Sequence, residues 1–346
     1  SLITVLVSLA VIGVYYFVYF KAQSLIQNLL ANATVYGTQI KGAAYPVYLF
    51  GSIGIGDVSA SVIVSAAVAV LFFLMWVLLS RSFLKIATST GKVVRREYQE
   101  TRSRKRSIDV ALLIREFSHF TASPSYMLNC GLGTFLMPLC AIAVLWKGSE
   151  LFAMLDAMFA EKTNSVLLLL CVVLCGLASM NFMTAPSVSL EGKSLWLMQS
   201  LPIEPWRIFR AKIRMQLLLT GLPLLLCIVC MVVVYRIHST QLLMLFLFAG
   251  SYVLLMALVG LFLGVKMPTL TWTNEIVLIK QGAPVMITLF GGFGYMVLLF
   301  VGFMLLPGWI LGFCWYMSCY VGANLFLSGW VYLWLRKKGV ARFSAL

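Results

Sequence analysis

Eight stretches of about twenty or more residues carry no charged side chain, and they limit what this chain can become. They cover residues 2–20, 59–80, 126–146, 165–184, 216–235, 242–265, 284–306 and 309–335. At 1.5 Å of rise per residue, about twenty helical residues cross about 30 Å of hydrocarbon. Lipid offers no hydrogen bonds, so each segment must satisfy its own backbone. The expected fold class is all-α, a polytopic transmembrane helical bundle of about eight spans with interfacial and cytoplasmic coupling helices. The composition excludes an ordinary soluble domain: 62% of residues are hydrophobic and 11% charged, against about half and about a quarter. The first stretch has no basic leader before it and no small-residue cleavage site after it, so it reads as a span and not as a signal peptide. A sequence opening on Ser1 directly into a span reads as an N-terminally truncated excerpt of a longer protein.

The net charge of +15 raises the question of nucleic acid, and its distribution answers it. With alternating spans, the loops at 81–125, 185–215 and 266–283 and the segment after Leu335 share one side and hold 10, 5, 2 and 4 Lys or Arg, 21 of the 26. The opposite side has Lys21, Lys41, Lys147, Lys162 and Arg236. Cytoplasmic loops are enriched in Lys and Arg, which places both ends of this chain in the cytoplasm. The basic excess is read as orientation and contact with membrane lipids, with no nucleic acid partner.

Three regions follow. Residues 1–80 hold two spans joined by an outer-side loop at 21–58, which has only Lys21, Lys41 and Asp57 as charges and is expected to contain short helices in the outer interface. Residues 81–107 form a basic cytoplasmic linker. Residues 108–346 hold six spans. This third region begins with an amphipathic elbow helix over 108–122, with Val110, Leu113, Ile114, Phe117 and Phe120 on the apolar side and Asp109, Arg115, Glu116 and His119 on the polar side. Pro124 ends that helix.

Several apparent catalytic or ligand signals fail on chemistry. Cys227-Ile-Val-Cys230 has a zinc-like spacing, but all eight cysteines lie in apolar stretches with no His or carboxylate to complete a site. Gly192-Lys193-Ser194 has the tail of a phosphate loop, yet position 187 is Ser and no strand precedes it. The eight stretches hold no ionisable acid or base for a proton relay or an intramembrane protease, and His119 and His238 fall on opposite sides. No catalytic residue, cofactor site or metal site is expected, and the chain is not read as an enzyme.

The loop at 185–214 is the most informative segment. Ser189 is placed to cap a short helix with Glu191 in its first turn, Leu195, Trp196, Leu197 and Met198 follow, and Pro202 breaks it. Glu204-Pro205 then starts a helix that runs into the next span, with Pro at its first position and Arg207, Arg210 and Arg214 on one face, where they can snorkel to phosphates. The density of apolar and aromatic residues in this helix-break-helix knob is that of a docking surface.

The run Ser189-Leu-Glu-Gly-Lys-Ser-Leu-Trp-Leu-Met-Gln-Ser-Leu-Pro-Ile-Glu-Pro205 closely resembles the cytoplasmic coupling loop of bacterial ATP-binding cassette (ABC) exporter permeases of the type-two class. The run Arg115-Glu-Phe-Ser-His-Phe-Thr-Ala-Ser-Pro-Ser-Tyr-Met-Leu-Asn-Cys-Gly-Leu-Gly133, and Trp272-Thr-Asn-Glu275 with Lys280-Gln-Gly282, resemble the same family. The likeness covers about 108 to 346 and, more weakly, the first two spans. It implies a permease of fused halves, in which residues 1–80 are the last two spans of a preceding half. It implies an ATP-driven exporter subunit whose partner is a separate cytoplasmic ABC ATPase carrying the ATP and Mg, in a bacterial plasma (inner) membrane. The ATPase-coupling contacts it implies are Glu191, Lys193, Leu195, Trp196 and Pro202, with Trp272 and Glu275 as a second contact. The exported substrate is not legible. The rival readings are an uncoupled channel or secondary transporter, and a membrane-embedded enzyme or scaffold.

Overall fold

A computed structural model describes residues 41–42, 45–88, 107–159, 164–235, 237–305 and 312–346. The expected first span, most of the outer-side loop, most of the basic linker, Arg236 and residues 306–311 lie outside the described residues. Among the described residues every regular element is a helix. The chain divides into two compact units, residues 1–102 and 103–346.

In the first unit, α1 (Tyr45–Gly54) precedes α2 (Val58–Thr88). Asp57 starts α2: its Oδ1 accepts from the amides of Ser59 and Ala60 at 2.9 and 3.4 Å and from the Ser59 hydroxyl at 2.7 Å. Gly56, at φ +90°, makes the turn before it.

The second unit contains α3 (Ile108–Ala122), α4 (Pro124–Cys130), α5 (Leu132–Met158), α6 (Ser165–Ser179), a 3-10 turn at Ser189–Ser194, α7 (Leu195–Ser200), α8 (Pro205–Val234), α9 (Ser239–Lys266), α10 (Glu275–Gln281), α11 (Ala283–Leu305), α12 (Phe313–Trp334), a π turn at Leu335–Gly339 and α13 (Val340–Ser344). Helices α5, α6, α8, α9, α11 and α12 share one apolar core that includes Met137, Cys171, Cys227, Phe248, Tyr252, Leu299 and Met317. Toward α3 and α7, two further clusters form around Phe209, Leu261 and Phe343 and around Tyr126, Met183 and Ile279.

Among the described residues, five helical segments are long and apolar enough to cross a membrane: Val58–Phe83, Leu132–Met158, Pro205–Val234, Ser239–Lys266 and Glu275–Leu305. The expected run at 165–184 forms only 15 helical residues before unwinding at Met180, about 22 Å of helix. Helix α12, rich in Trp, Tyr and Ser, is not among the five.

Two helix breaks in this unit complete one another. The run expected over 126–146 is interrupted at Gly131, between α4 and α5, and the Cys130 carbonyl freed there accepts the Phe182 amide at 3.1 Å from the unwound stretch after α6. Gln216 of α8 continues the repair: its Oε1 accepts from the Thr184 amide at 2.9 Å, and its Nε2 donates to the Asn181 carbonyl at 2.8 Å. Irregular backbone within an apolar bundle requires such partners. Small residues allow the close approach. A Cβ on Gly133 would stand 2.2 Å from the Leu177 carbonyl oxygen, and one on Gly264 of α9 would stand 2.5 Å from that of Ala185. Gly260 and Gly264 are one helical turn apart, a small-residue seam that admits another backbone.

Candidate functional site

The loop at 185–214 folds as a knob seated on a buried ion cluster. Lys212 of α8 is at its centre: Nζ lies 3.0 Å from Glu116 Oε2 of α3 and 3.0 Å from Glu191 Oε1 of the 3-10 turn, and it donates to the Ser187 carbonyl at 3.3 Å. Arg115 closes the cluster with a forked contact to Glu191, Nη1 to Oε1 at 3.1 Å and Nη2 to Oε2 at 2.7 Å, and reaches Glu116 at 3.2 Å. Two carboxylates and two cations leave the cluster formally neutral. Charges so buried are tolerated only when paired and hydrogen-bonded. Burial by itself pushes the Glu191 carboxyl up, but Lys212 and Arg115 outweigh it and hold it at about 2, against an ordinary 4.5.

This arrangement corrects the sequence reading at two points. Glu116, assigned to the polar side of α3, is buried together with Leu112 and Phe120, while Val110 and Ile114 of the apolar side are exposed on the protein. The reason is the salt bridge to Lys212, which turns the helix so that its carboxylate enters the core. Ser189 does not cap a helix: its hydroxyl accepts the Thr269 amide at 3.0 Å. The segment it was expected to start is a 3-10 turn interrupted at Gly192. Of the residues expected at a partner contact, Glu191 and Leu195 point inward with only 5% and 3% of their surface exposed. Glu191 is occupied by the ion cluster, and Leu195 packs with Met198, Phe209 and Phe343 in the apolar core.

The outward face is made by other residues. Trp196 is 66% exposed and Leu197 51%, and Leu201 and Pro202 beyond them are also exposed. The side chain of Lys193 lies outside the described residues. Of the second expected contact, Trp272 is brought directly onto the knob, where its Nε1 donates to the Ser189 carbonyl at 2.8 Å. Its indole also covers Gly192, where a Cβ would meet Trp272 Nε1 at 2.9 Å and where φ is +50°. The Gly192 backbone is therefore covered by an aromatic ring. Glu275 is half-buried in the first turn of α10, which Asn274 caps by accepting the Ile276 amide at 2.9 Å.

Two further contacts fix the knob from below. Gln199 Nε2 of α7 donates to the Phe343 carbonyl of α13 at 2.7 Å, and Phe343, 1% exposed, packs edge-on to Phe209 with ring centres 5.3 Å apart. On α8, Arg214 is exposed and Arg207 and Arg210 are partly so, on the face opposite the buried Lys212. Lys212 carries the signal that sequence reasoning missed. At 100° per residue it falls far from the three arginines, beside Ile208, Met215 and Gln216, a lone cation on the inward stripe of an amphipathic helix.

The bundle interior also holds hydroxyl and amide groups. Tyr252 contacts the Ser179 hydroxyl at 2.5 Å, Tyr295 donates to Asn324 Oδ1 at 2.7 Å, and Asn324 Nδ2 donates to Ser251 Oγ at 3.3 Å. These bonds join α6, α9, α11 and α12, and buried polar groups of this kind need such partners.

No protein-family model, curated protein or solved structure matches this chain. What the helices establish by themselves is a helical, multi-pass membrane protein.

Proposed function

We propose that this chain is the membrane-spanning permease subunit of an ATP-driven ABC exporter. A separate cytoplasmic ATPase binds and hydrolyses ATP with its Mg, and this chain contributes neither catalytic residue nor cofactor. The observation that carries the reading is the pairing of an outward apolar face with a rigid seat. Trp196 and Leu197 stand exposed on a short helix with Leu201 exposed just past its end, and that segment is tied through Glu191 to Lys212 of α8 and to Arg115 of α3. An exposed aromatic anchor amid apolar neighbours suits a protein contact. A force applied at Trp196 is delivered to a span and to the elbow helix together, because the forked Arg115–Glu191 contact and the buried Lys212 resist displacement. The likeness of residues 189–205 to the coupling loops of type-two ABC permeases supports the same reading. It carries with it eight spans, both ends of this chain in the cytoplasm, a preceding membrane half ending in residues 1–80 and a bacterial inner membrane. The partner ATPase shifts the balance between inward- and outward-open states by binding them unequally.

The test is co-purification from native membranes with the full-length protein. An ATPase subunit is expected to accompany it, and Trp196→Asp is expected to remove that subunit and ATP-dependent export while leaving the helical content and melting temperature unchanged. Recovery of no ATPase, or intact export by the Trp196→Asp variant, overturns the reading.

A further inference from the structure

We propose that the π turn, α13 and the end of α9 form a binding surface for the headgroups of anionic phospholipids. The sequence presents Arg336, Lys337, Lys338 and Arg342 as a polar segment following the last span, but the structure folds that segment back on the bundle. Phe343 is fully buried against Phe209, which fixes α13 in place. Arg342 Nη2 then donates to the Lys266 carbonyl at 3.0 Å, at the last turn of α9. A cation from a distant stretch of chain thereby joins the four of the π turn and α13. All five are exposed.

Among the described residues no acidic side chain balances them: none of the five takes part in an ion pair, and the sequence has no Asp or Glu between Glu275 and Leu346. Directly beside the charges is an aromatic group. Lys266 Nζ stands 5.5 Å above the Phe262 ring, and Phe262 meets Trp334 edge-on at 4.6 Å and lies 6.2 Å from Trp330. Trp330 is exposed, as are Phe326 and Leu333 along the same helix.

The occupant that fits must be anionic at one end and apolar along the rest. Phosphate alone leaves Phe326, Trp330 and Leu333 uncovered, and a nucleic acid has no apolar length to lay against them. A phospholipid with net negative charge satisfies both, its headgroup among the five cations and its chains along α12. Interfacial Trp and clustered Lys and Arg at a helix end are the elements of such recognition. The inference stands on the membrane fold and is independent of the exporter reading.

The test uses the full-length detergent-solubilised protein and native mass spectrometry with dioleoylphosphatidylglycerol or dioleoylphosphatidylcholine. Preferential retention of phosphatidylglycerol is expected. Replacing Arg336, Lys337 and Lys338 by Gln should weaken that retention about ten-fold or more, each cation near a membrane surface being worth about five-fold, with phosphatidylcholine unaffected. Arg336→Lys with Arg342→Lys, which keeps the charge, should preserve the preference. A second measurement needs no variant: brominated-chain phosphatidylglycerol should quench the tryptophan fluorescence at lower concentration than brominated phosphatidylcholine, with the difference lost in about 1 M salt. Equal affinity for the two lipids, full competition by inorganic phosphate, or an undiminished preference in the Gln variant overturns the proposal.

Discussion

Lys212 Nζ of α8 and Glu191 Oε1 of the 3-10 turn meet at 3.0 Å with 1% and 4% of their side chains exposed. Glu116 and Arg115 complete the cluster. The relationship joins the elbow helix, the knob and a span at a single point, and it makes the knob a fixed projection of the bundle.

Removing the central cation is expected to be costly. Lys212→Met leaves Glu116 and Glu191 with only Arg115 between them, and breaking a buried charge cluster on one side costs about 3–5 kcal/mol. A thermal melt in detergent reads this as a lower Tm. The double variant Lys212→Met with Glu116→Gln retains the Arg115–Glu191 pair and should recover much of the loss. A double variant no more stable than Lys212→Met alone argues against the pairing.

The Glu191 carboxyl makes stability depend on acid. Its folded pKa is held at about 2, below the ordinary 4.5, so the folded state keeps its charge where the unfolded chain takes a proton. The stabilisation is therefore complete above about pH 4.5 and is lost as pH falls toward about 2. Melting curves across that window should fall for the native protein and flatten for Glu191→Gln. Parallel slopes in the two proteins contradict this assignment.

Gly192 is expected to tolerate no side chain. Its φ of +50° suits glycine, and a Cβ would enter the Trp272 indole at 2.9 Å. Gly192→Ala should cost about 1–3 kcal/mol and displace Trp272 from the Ser189 carbonyl, which a shift in tryptophan emission would report. Trp272→Phe removes the donor and keeps most of the packing, so its effect should be the smaller of the two.

Phe343 anchors α13 beneath the knob. Phe343→Ala should cost about 3–5 kcal/mol of local packing, because the ring is 1% exposed against Phe209. Limited proteolysis should then cut at the π turn, because the Gln199 bond to the main-chain carbonyl of residue 343 is left to hold the segment without the ring. An unchanged digestion pattern shows that the segment is held by something other than this ring.

The helical class was open to linear reading for one reason: lipid imposes a length and an absence of charge on each span. Trp196 and Pro202 are exposed, and a surface position of that kind needs no distant partner. The inward turn of Glu191 and Glu116 could not be read, since an acidic residue next to apolar ones looks solvated until its counter-ion is known. That counter-ion is Lys212, 96 residues from Glu116. The unwinding of the run at 165–184 was equally hidden. Its residues carry no charge and are mostly apolar, and what ends the helix at Met180 is the close packing of α5 and α9 through Gly133 and Gly264, together with the bonds from Gln216.

By itself the sequence determined that the chain enters a membrane as helices and which loops carry its positive charge, since both follow from hydropathy and charge counted locally along the chain. Only the tertiary structure decided which charges are inside. A buried ion pair exists only when two distant segments arrive at the same place, and the seat of Trp196 is built from three of them.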